Sequence, residues 1–456
     1  MPLPDVEAAP AGIGKQSVDT SSAAADESSS KGTWWQAGFH MTTATLGPAS
    51  LSLPYALRGL GWALGLAALT AVAAVTFYAY FLVSRVLDRC EAAGRRHVRF
   101  RELATDVLGS RWATCLVVTV QVAINVGISI GSILLAADCL ELTYSRHAPN
   151  GSLKLYHFVI MVALVLAVLS QLPSLHSLRH INVGSLIISI GYTILVSAAC
   201  ICAGLSSNAP PKDYSLSTSR TERTFTAFLS ISILTSVFGN SILPEIQATL
   251  APPAGGKMTK ALVLSYSVFF LAFYSPAIAG FWAFGNKVRS NVMQSLLATE
   301  TGSSLAPPWM LGLAVVLILL QLIAIALVYL QVTYEMIERS SGDAMRRLFS
   351  SKGSLAPRVA VRAAYVAALA FVAAMLPFFG EIQGVVGSVG YIPLDVVIPV
   401  VMYNMAIAPR RRSPAYVANV AIMVAFIGLG LIGTVASVRK LVLNADKFKL
   451  FSNGRS

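Results

Sequence analysis

The sequence predicts an all-α polytopic membrane protein with about 11 transmembrane helices, from its composition and from the lengths of its apolar runs. Of its 456 residues, 55% are hydrophobic and only 12% are charged, whereas a soluble domain carries about 25% charged residues. So few charges cannot cover a core of this size with a water-soluble surface. The apolar runs are long enough, at about 1.5 Å per residue, to cross the roughly 30 Å of hydrocarbon in a bilayer.

The predicted spans follow a polar N-terminal tail. Residues 1–32 are rich in Ala, Ser, Asp and Pro and lack the apolar segment of a signal peptide, so we expect a disordered cytoplasmic tail. The transmembrane domain then covers residues 33–441, and residues 442–456 form a C-terminal tail. The spans lie near residues 35–57, 62–87, 112–141, 155–172, 180–204, 224–250, 258–284, 308–337, 359–379, 383–407 and 414–438.

Basic residues in the connecting segments predict the side of the membrane that each loop faces. With the N-terminus in the cytoplasm, most loop Lys and Arg residues fall on the cytoplasmic side, as Arg95 and Arg96 do, which is the positive-inside pattern. The net charge of +13 therefore reflects orientation in the membrane, and no nucleic-acid partner is expected. The same orientation places the sequon Asn150-Gly151-Ser152 outside, so Asn150 is a predicted glycosylation site.

Gly47, Pro48 and Pro54 interrupt the first span. In hydrocarbon, the backbone groups that such residues free are tolerated only where they are buried in protein or line a wet cavity. In transporters, broken helices of this kind place half-helix ends at a substrate site near the midplane. A kink that serves helix packing would also explain one such break. We expect the residues around the break to bind substrate: Thr45, Leu46, Gly47, Pro48 and Ala49.

The sixth span carries a second break, in which a Leu-Pro pair again follows a glycine and small polar residues. Spans one and six are the corresponding spans of two five-helix halves, residues 35–204 and 224–407. An odd number of spans inverts one half relative to the other, which predicts a 5+5 inverted repeat with one extra helix at 414–438. We expect a second set of substrate-binding residues here: Ser236, Phe238, Gly239 and Asn240.

Two broken helices can bind a zwitterion without a charged side chain. One half-helix N-terminus presents free amides with partial positive charge, and the other half's C-terminus presents carbonyls with partial negative charge. Polar side chains in the flanking spans three and eight are further candidates for the site, although each also suits an ordinary interhelical hydrogen bond. These candidates are Gln121, Asn125 and Tyr329, with Gln331 and Tyr334 beside them.

Glu245 and Asp395 are the predicted proton-coupling residues, because acidic groups at membrane depth are costly and usually functional. A carboxyl group in an apolar setting can take up a proton on the acidic side and release it inside. The alternative for each is a structural acid that caps a half-helix or pairs with an arginine.

No cofactor, metal site or enzymatic activity is predicted. The chain lacks a phosphate loop, the zinc motif H-E-x-x-H and the nucleophile motif G-x-S-x-G. Its five cysteines show no metal-ligand spacing, although a bridge from Cys139 to Cys200 or Cys202 is conceivable. Transport by this chain would therefore depend on ion coupling or exchange rather than on ATP.

Several motifs resemble the amino acid/auxin permease family, and within it the plant γ-aminobutyric acid (GABA) transporter branch. They are the Leu-Ser-Leu-Pro-Tyr-Ala-Leu stretch at 51–57, Pro-Glu-Ile-Gln at 244–247, Leu-Pro-Phe-Phe-Gly at 376–380 and Ile-Pro-Leu-Asp-Val-Val-Ile-Pro at 392–399. The resemblance implies a LeuT-like fold and proton-coupled symport of GABA and related ω-amino acids across the plasma membrane.

The sequence motifs define the family more narrowly than they define the substrate. The chain's own Leu-Gly-Pro-Ala at 46–49 departs from the family pattern at the expected pocket. Broad neutral amino acids, proline or an indole acid are alternative substrates. A non-transporting amino acid sensor is a further alternative, which would require a large ordered cytoplasmic domain.

Overall fold

The computed structural model of the protein describes residues 32–148, 151–171, 178–240, 242–251, 253–297, 304–340 and 355–445. Within these ranges the chain is helical, and the extended pairing found there joins Gly32 to Leu250. The all-α prediction is therefore confirmed. Residues 1–31 of the predicted N-terminal tail, the sequon residue Asn150 and residues 446–456 lie outside the described ranges.

The first span is broken where the sequence predicts. Helix α1 covers Trp34–Thr45, a 3-10 helix covers Pro48–Ser52, and α2 covers Leu53–Leu60. Proline is tolerated in the first turn of a helix because the N–H that it lacks has no partner there. Pro48 and Pro54 each occupy such a position, so both start helical segments rather than kinking one continuous helix.

The rest of the first half consists of four long helices and one short connecting helix. After Gly61, whose φ of 75° is left-handed, the chain continues into α3. The short helix α4 ends at a second left-handed glycine, Gly109, with φ of 61°. The bounds are Trp62–Ala92 for α3, Phe100–Leu108 for α4, Arg111–His147 for α5, Leu155–Leu169 for α6 and Leu178–Leu205 for α7.

The second half opens with the other broken span. Helix α8 covers Arg220–Phe238 and α9 covers Leu243–Ala248, so the chain leaves the helical path at Gly239 and Asn240. The following helices are α10 at Gly255–Phe284, α11 at Val292–Leu297, α12 at Pro308–Ser340 and α13 at Leu355–Met375. Both predicted helix breaks are thus present.

The tenth span is less regular than the sequence suggested. It runs through α14 at Phe379–Val385, a π-helical stretch at Val386–Val397 and α15 at Ile398–Ala406. It therefore begins four residues before the predicted residue 383, and Glu381 lies in a helix rather than in a turn between spans. The last helix, α16, covers Pro414–Ala445.

Eight of the described helices are long and apolar enough to cross a membrane. The other three predicted spans correspond to the broken first span and to the shorter apolar helices at 155–169 and 359–375. Large apolar side chains such as Leu164, Val168 and Leu431 point outward and are exposed, as expected of a surface in contact with lipid chains. The chain is a multi-pass membrane protein.

The start of α1 and the end of α16 lie on opposite faces of the protein. The N–H of Gly32 donates to the carbonyl of Thr249 at 2.9 Å, and Lys440 Nζ donates to Glu222 at 2.8 Å. Because the sixth span runs from Glu222 to Thr249, these two contacts mark its opposite ends. We refer to them as the Gly32 face and the Lys440 face.

The cysteine bridge considered from the sequence is wrong, because all five cysteines are free. Cys139 on α5 and Cys200 on α7 are buried in the apolar core that surrounds them. Each thiol is packed among hydrocarbon side chains instead of lying against another sulfur.

Candidate functional site

A small cavity of about 70 Å³ lies where the two broken spans meet. The helices bring the breaks together because α1 and α2 pack against α10, and α2 also packs against α8. The first break lines the cavity with Thr45, Gly47, Pro48 and Ala49, which are predicted site residues, and with Ala44. The second break lines it with Ser236, Val237 and Gly239, of which Ser236 and Gly239 are predicted.

Three further spans complete the walls. Tyr329 from α12 was predicted from the sequence, whereas Ser132 from α5 and Gln383 and Tyr391 from the tenth span were not. None of the described residues that line the cavity carries a charged side chain. The apolar part of these walls comes from Ile128, Leu135, Leu322, Ile325 and Phe379.

The second break is held by a side chain from α3. The N–H of Asn240 donates to the hydroxyl of Tyr80 at 2.6 Å, and that hydroxyl donates to the carbonyl of Phe238 at 3.1 Å. The same N–H also donates to Asp395 Oδ2 at 2.9 Å. Tyr80 and Asp395 therefore bind backbone groups that a continuous helix would have paired internally.

Asn240 also joins the two breaks to each other. Its side-chain Nδ2 donates to Thr45 Oγ1 at 2.8 Å, and Thr45 is the last residue of α1 and lines the cavity. Its Oδ1 accepts the N–H of Ile242 at 3.2 Å, and this bond holds the backbone just before α9 begins. Asn240 itself is buried beside the cavity rather than in its wall.

Four other predicted site residues lie outside the walls of this cavity. Leu46 is buried, and its carbonyl accepts the hydroxyl of Ser189 at 3.1 Å. Phe238 packs edge-on against Phe269 and Phe273, so its ring contacts α10 instead of lining the cavity. Gln121 and Asn125 precede the first lining residue of α5, Ile128, by about two turns and by just under one turn. The Asn125 amide donates to a methionine sulfur at 3.6 Å.

The extra polar candidates of span eight also have other partners. Gln331 Nε2 donates to the carbonyl of Ser170 at 3.0 Å, and the Tyr334 hydroxyl donates to the carbonyl of Arg362 at 3.3 Å. Both residues lie beyond Tyr329 along α12, away from the cavity. They tie α12 to its neighbours, as interhelical hydrogen bonds commonly do.

The two candidate acids occupy different places. Asp395, in the π-helical stretch, is only 1% exposed and contacts the second break directly. Glu245 lies in the first turn of α9, farther toward the Gly32 face, and interacts with Arg99 and Arg101. Its Oε2 has no hydrogen-bond partner among the described residues.

The site residues that were not predicted from the sequence lie in segments with at most a weak sequence pattern. Gln383 is an isolated amide in an apolar run that has glycine at 384, 387 and 390. Repeated glycines in a span indicate close contact between backbones, and a Cβ at Gly387 would indeed overlap the carbonyl of Ser232. No local pattern singles out Tyr80.

A Cys-His-Asp cluster lies on the Gly32 face, where ligand atoms of Cys90, His97 and Asp106 are all within 4.8 Å of one another. The cluster is explained by an ion pair, since Arg95 Nη1 lies 2.7 Å from both carboxylate oxygens of Asp106. Burial opposes ionisation of Asp106, but hydrogen bonds from His97 and Arg95 outweigh it and lower the pKa of that carboxyl below its ordinary 3.8.

A multi-pass helical protein in which two broken spans face one uncharged, partly polar cavity has the architecture of a secondary transporter. A sequence model of the family described as transmembrane amino acid transporter protein matches residues 30–443. The chain belongs to this family, which confirms the resemblance seen in its motifs. It is a member of a transporter family and not an enzyme.

Individual relatives cover nearly the whole chain. GABA transporter 1 of Arabidopsis thaliana is 42% identical over 93% of this chain and 94% of its own length. Lysine histidine transporter-like 1 of the same plant is 26% identical over 93% of this chain and 92% of its own. Among solved structures, a Na+-coupled sialic acid symporter in a substrate-bound outward-open state matches 93% of this chain and 92% of its own, with 11% identity and a TM-score of 0.48.

Proposed function

We propose that the protein is a proton-coupled symporter that carries GABA and related ω-amino acids into the cell across the plasma membrane. The observation that carries the proposal is the uncharged cavity between two helix breaks, with the buried carboxyl of Asp395 on the amide of the second break. The family membership and the 42% identity to a GABA transporter support the choice of cargo.

The cavity favours a small zwitterion over a cationic or bulky substrate. Its described walls hold no charge, so the opposite charges of a zwitterion would be met by backbone N–H groups of Gly47 and Ala49 and by the carbonyl end of α1 near Thr45. A lysine side chain would bring a net positive charge with no carboxylate to meet it.

The Gly32 face is the cytoplasmic face in this proposal. Arg96 on this face donates to the carbonyl of Ala248 at 2.8 Å, and Arg95, Arg99 and Arg101 lie in the same connecting segment. Such a concentration of arginine is typical of cytoplasmic loops. The N-terminus is then cytoplasmic and Asn150 lies outside, where it can be glycosylated.

Asp395 is the primary proton acceptor in this mechanism, and Glu245 is the second. Asp395 touches the break itself, so a change in its charge acts directly on the substrate site. Glu245 lies on the path from the break to the cytoplasmic face, beside Arg99 and Arg101. This position suits release of a proton into the cell.

Purified protein in liposomes tests the proposal. We expect uptake of labelled GABA to rise with an inwardly directed proton gradient and to fall when a protonophore collapses it. Unlabelled β-alanine should compete with GABA more strongly than proline, tryptophan or lysine. Uptake that ignores the gradient would overturn proton coupling, and binding of GABA without flux would favour the sensor alternative.

A further inference from the structure

We propose that Asn240 couples the protonation state of Asp395 to the geometry of the substrate cavity. This inference rests on the proposed proton-coupled function and assigns the residue that transmits the proton's effect. Asn240 is a positioning residue here, because it acts through Thr45 rather than through contact with substrate.

The first step of the coupling is the contact between the acid and the break. The carboxylate of Asp395 accepts the N–H of Asn240 at 2.9 Å. A hydrogen bond to an ionised acceptor is roughly twice as strong as one between neutral groups. Asp395 in its charged form therefore holds Asn240 in place, and Tyr80 accepts from the same N–H at 2.6 Å.

The second step is the contact between Asn240 and the opposite break. Its side-chain amide donates to Thr45 Oγ1 at 2.8 Å and lies 3.8 Å from the sulfur of Met41. Both acceptors belong to α1, and Thr45 lines the cavity. One residue thus contacts the acid through its backbone and the cavity wall through its side chain.

Tyrosine hydroxyls from several elements face Asp395. They belong to Tyr80 on α3, Tyr266 on α10, Tyr329 on α12 and Tyr391 on its own segment. Tyrosine is neutral at physiological pH. The Asn240 N–H donates to the carboxyl itself, so the strength of this bond depends on whether the carboxyl is charged.

Protonation changes the balance at the break. A proton from the external solution forms an O–H bond on the carboxylate, and the negative charge that the Asn240 N–H opposed is lost. The bond from that N–H to the neutral carboxyl is weaker than the bond to the carboxylate, so Asn240 can shift and alter its contact with Thr45. The O–H bond breaks again when the carboxyl releases the proton to the cytoplasm, which restores the first arrangement.

The test compares the half-saturating concentration of labelled GABA for uptake at one acidic and one neutral external pH. For the wild type we expect the two values to differ by roughly tenfold, within the usual range of coupling between sites. Asn240→Ala should reduce this ratio to near one. Thr45→Val removes the acceptor and keeps the side-chain shape, so it should also bring the ratio near one, even where the half-saturating concentrations themselves rise because Thr45 lines the cavity. The double variant should change the ratio little further because both substitutions act on one contact.

Asn419→Ala is the matched control. Asn419 is also a buried asparagine with side-chain hydrogen bonds, but its partners are Tyr78 and Asn404 near α16. This variant should keep the wild-type ratio even if it is less stable. If Asn240 has a purely structural role, Asn240→Ala should also keep the wild-type ratio of half-saturating concentrations.

The outcomes separate the coupling from the transport function. If the wild type depends on pH and both Asn240→Ala and Thr45→Val keep the full ratio, Asn240 does not couple the sites and proton symport stands. If the wild type shows no pH dependence, both proposals are overturned. Should Asn240→Ala fail to fold, Thr45→Val alone decides.

Discussion

Tyr80 shows how one side chain replaces the hydrogen bonds that a helix break removes. Its hydroxyl accepts from the N–H of Asn240 and donates to the carbonyl of Phe238, so it binds both edges of the second break. The hydroxyl comes from α3, 160 positions away in the chain from Asn240. Buried backbone groups need such partners, because leaving them unpaired is costly.

Tyr80→Phe should destabilise the protein by about 1–3 kcal/mol, since the buried carbonyl of Phe238 loses its donor. Thermal unfolding in detergent measures the change. Tyr266→Phe is the control, because its hydroxyl donates to Thr76, whose own hydroxyl keeps a bond to Val72. Equal melting temperatures for the two variants would contradict the role assigned to Tyr80.

Gly239 is required by the close approach of Tyr391. A Cβ at position 239 would overlap the Tyr391 ring, which itself lines the cavity. Gly239→Ala should therefore reduce GABA uptake by at least roughly tenfold, the effect of about 1.4 kcal/mol. Gly428→Ala on α16 is the control, because a Cβ there meets nothing within 4 Å. Normal uptake by Gly239→Ala would show that this contact is not part of the site.

Asp106 gives the Gly32 face a pH-dependent stability. Its pKa is lowered in the folded protein, so its stabilising effect is complete above the ordinary value of 3.8 and is lost as pH falls through the folded-state pKa. Asp106→Asn should lower the melting temperature at neutral pH, and the gap to the wild type should close as the pH falls below the ordinary value of 3.8. A gap that stays constant with pH would refute the ion-pair explanation.

At the level of whole elements, the start of the first span is tied to the end of the sixth. The N–H of Gly32 donates to the carbonyl of Thr249 at 2.9 Å, and the N–H of Ala251 donates back to Gly32 at 3.2 Å. Arg96 adds a bond to Ala248 at 2.8 Å. These contacts join the start of the first span to the end of the sixth, so the proposed transport cycle would have to break them for the Gly32 face to open.

Gly32→Ala should loosen this closure, because a Cβ at position 32 would lie 2.6 Å from the carbonyl oxygen of Thr249. We expect faster hydrogen–deuterium exchange in residues 243–251. Gly256→Ala is the control, since a Cβ there meets nothing within 4 Å. Unchanged exchange in Gly32→Ala would mean that the pairing does not restrain α9.

At the level of the whole molecule, five spans enclose a cavity whose described walls are uncharged. In the proposed function, the absence of a side-chain counter-ion in these walls selects the net charge of the substrate. Gln383 is one of the polar groups in these walls, and it is 7% exposed. Changing its charge changes the selectivity of the entire site.

Gln383→Glu should let lysine compete with GABA, because the new carboxylate can pair with the lysine ammonium group. We expect the inhibitory concentration of lysine to fall by roughly tenfold, the effect of about 1.4 kcal/mol. Gln331→Glu, on α12 but outside the cavity, is the control. If both variants respond equally to lysine, Gln383 does not face the substrate.

The membrane class, the positions of most spans and both helix breaks could be predicted from the amino-acid sequence alone. Each of these depends on local properties: apolar length sets a span, and glycine and proline interrupt a helix wherever they fall. Most residues of the breaks that line the cavity could be predicted for the same reason: Thr45, Gly47, Pro48, Ala49, Ser236 and Gly239.

The side chains that meet at the breaks could not be predicted in the same way, because they depend on how the helices pack. Asp395 and Tyr80 reach Asn240 from 155 and 160 positions away in the chain, and Gln383 joins the cavity wall from the irregular tenth span. Gln121 and Asn125 fit the polar pattern equally well, yet their place on α5 puts them beyond the cavity. Periodicity along one helix gives the face of a residue, whereas its partner depends on the rotation and depth at which the helices pack.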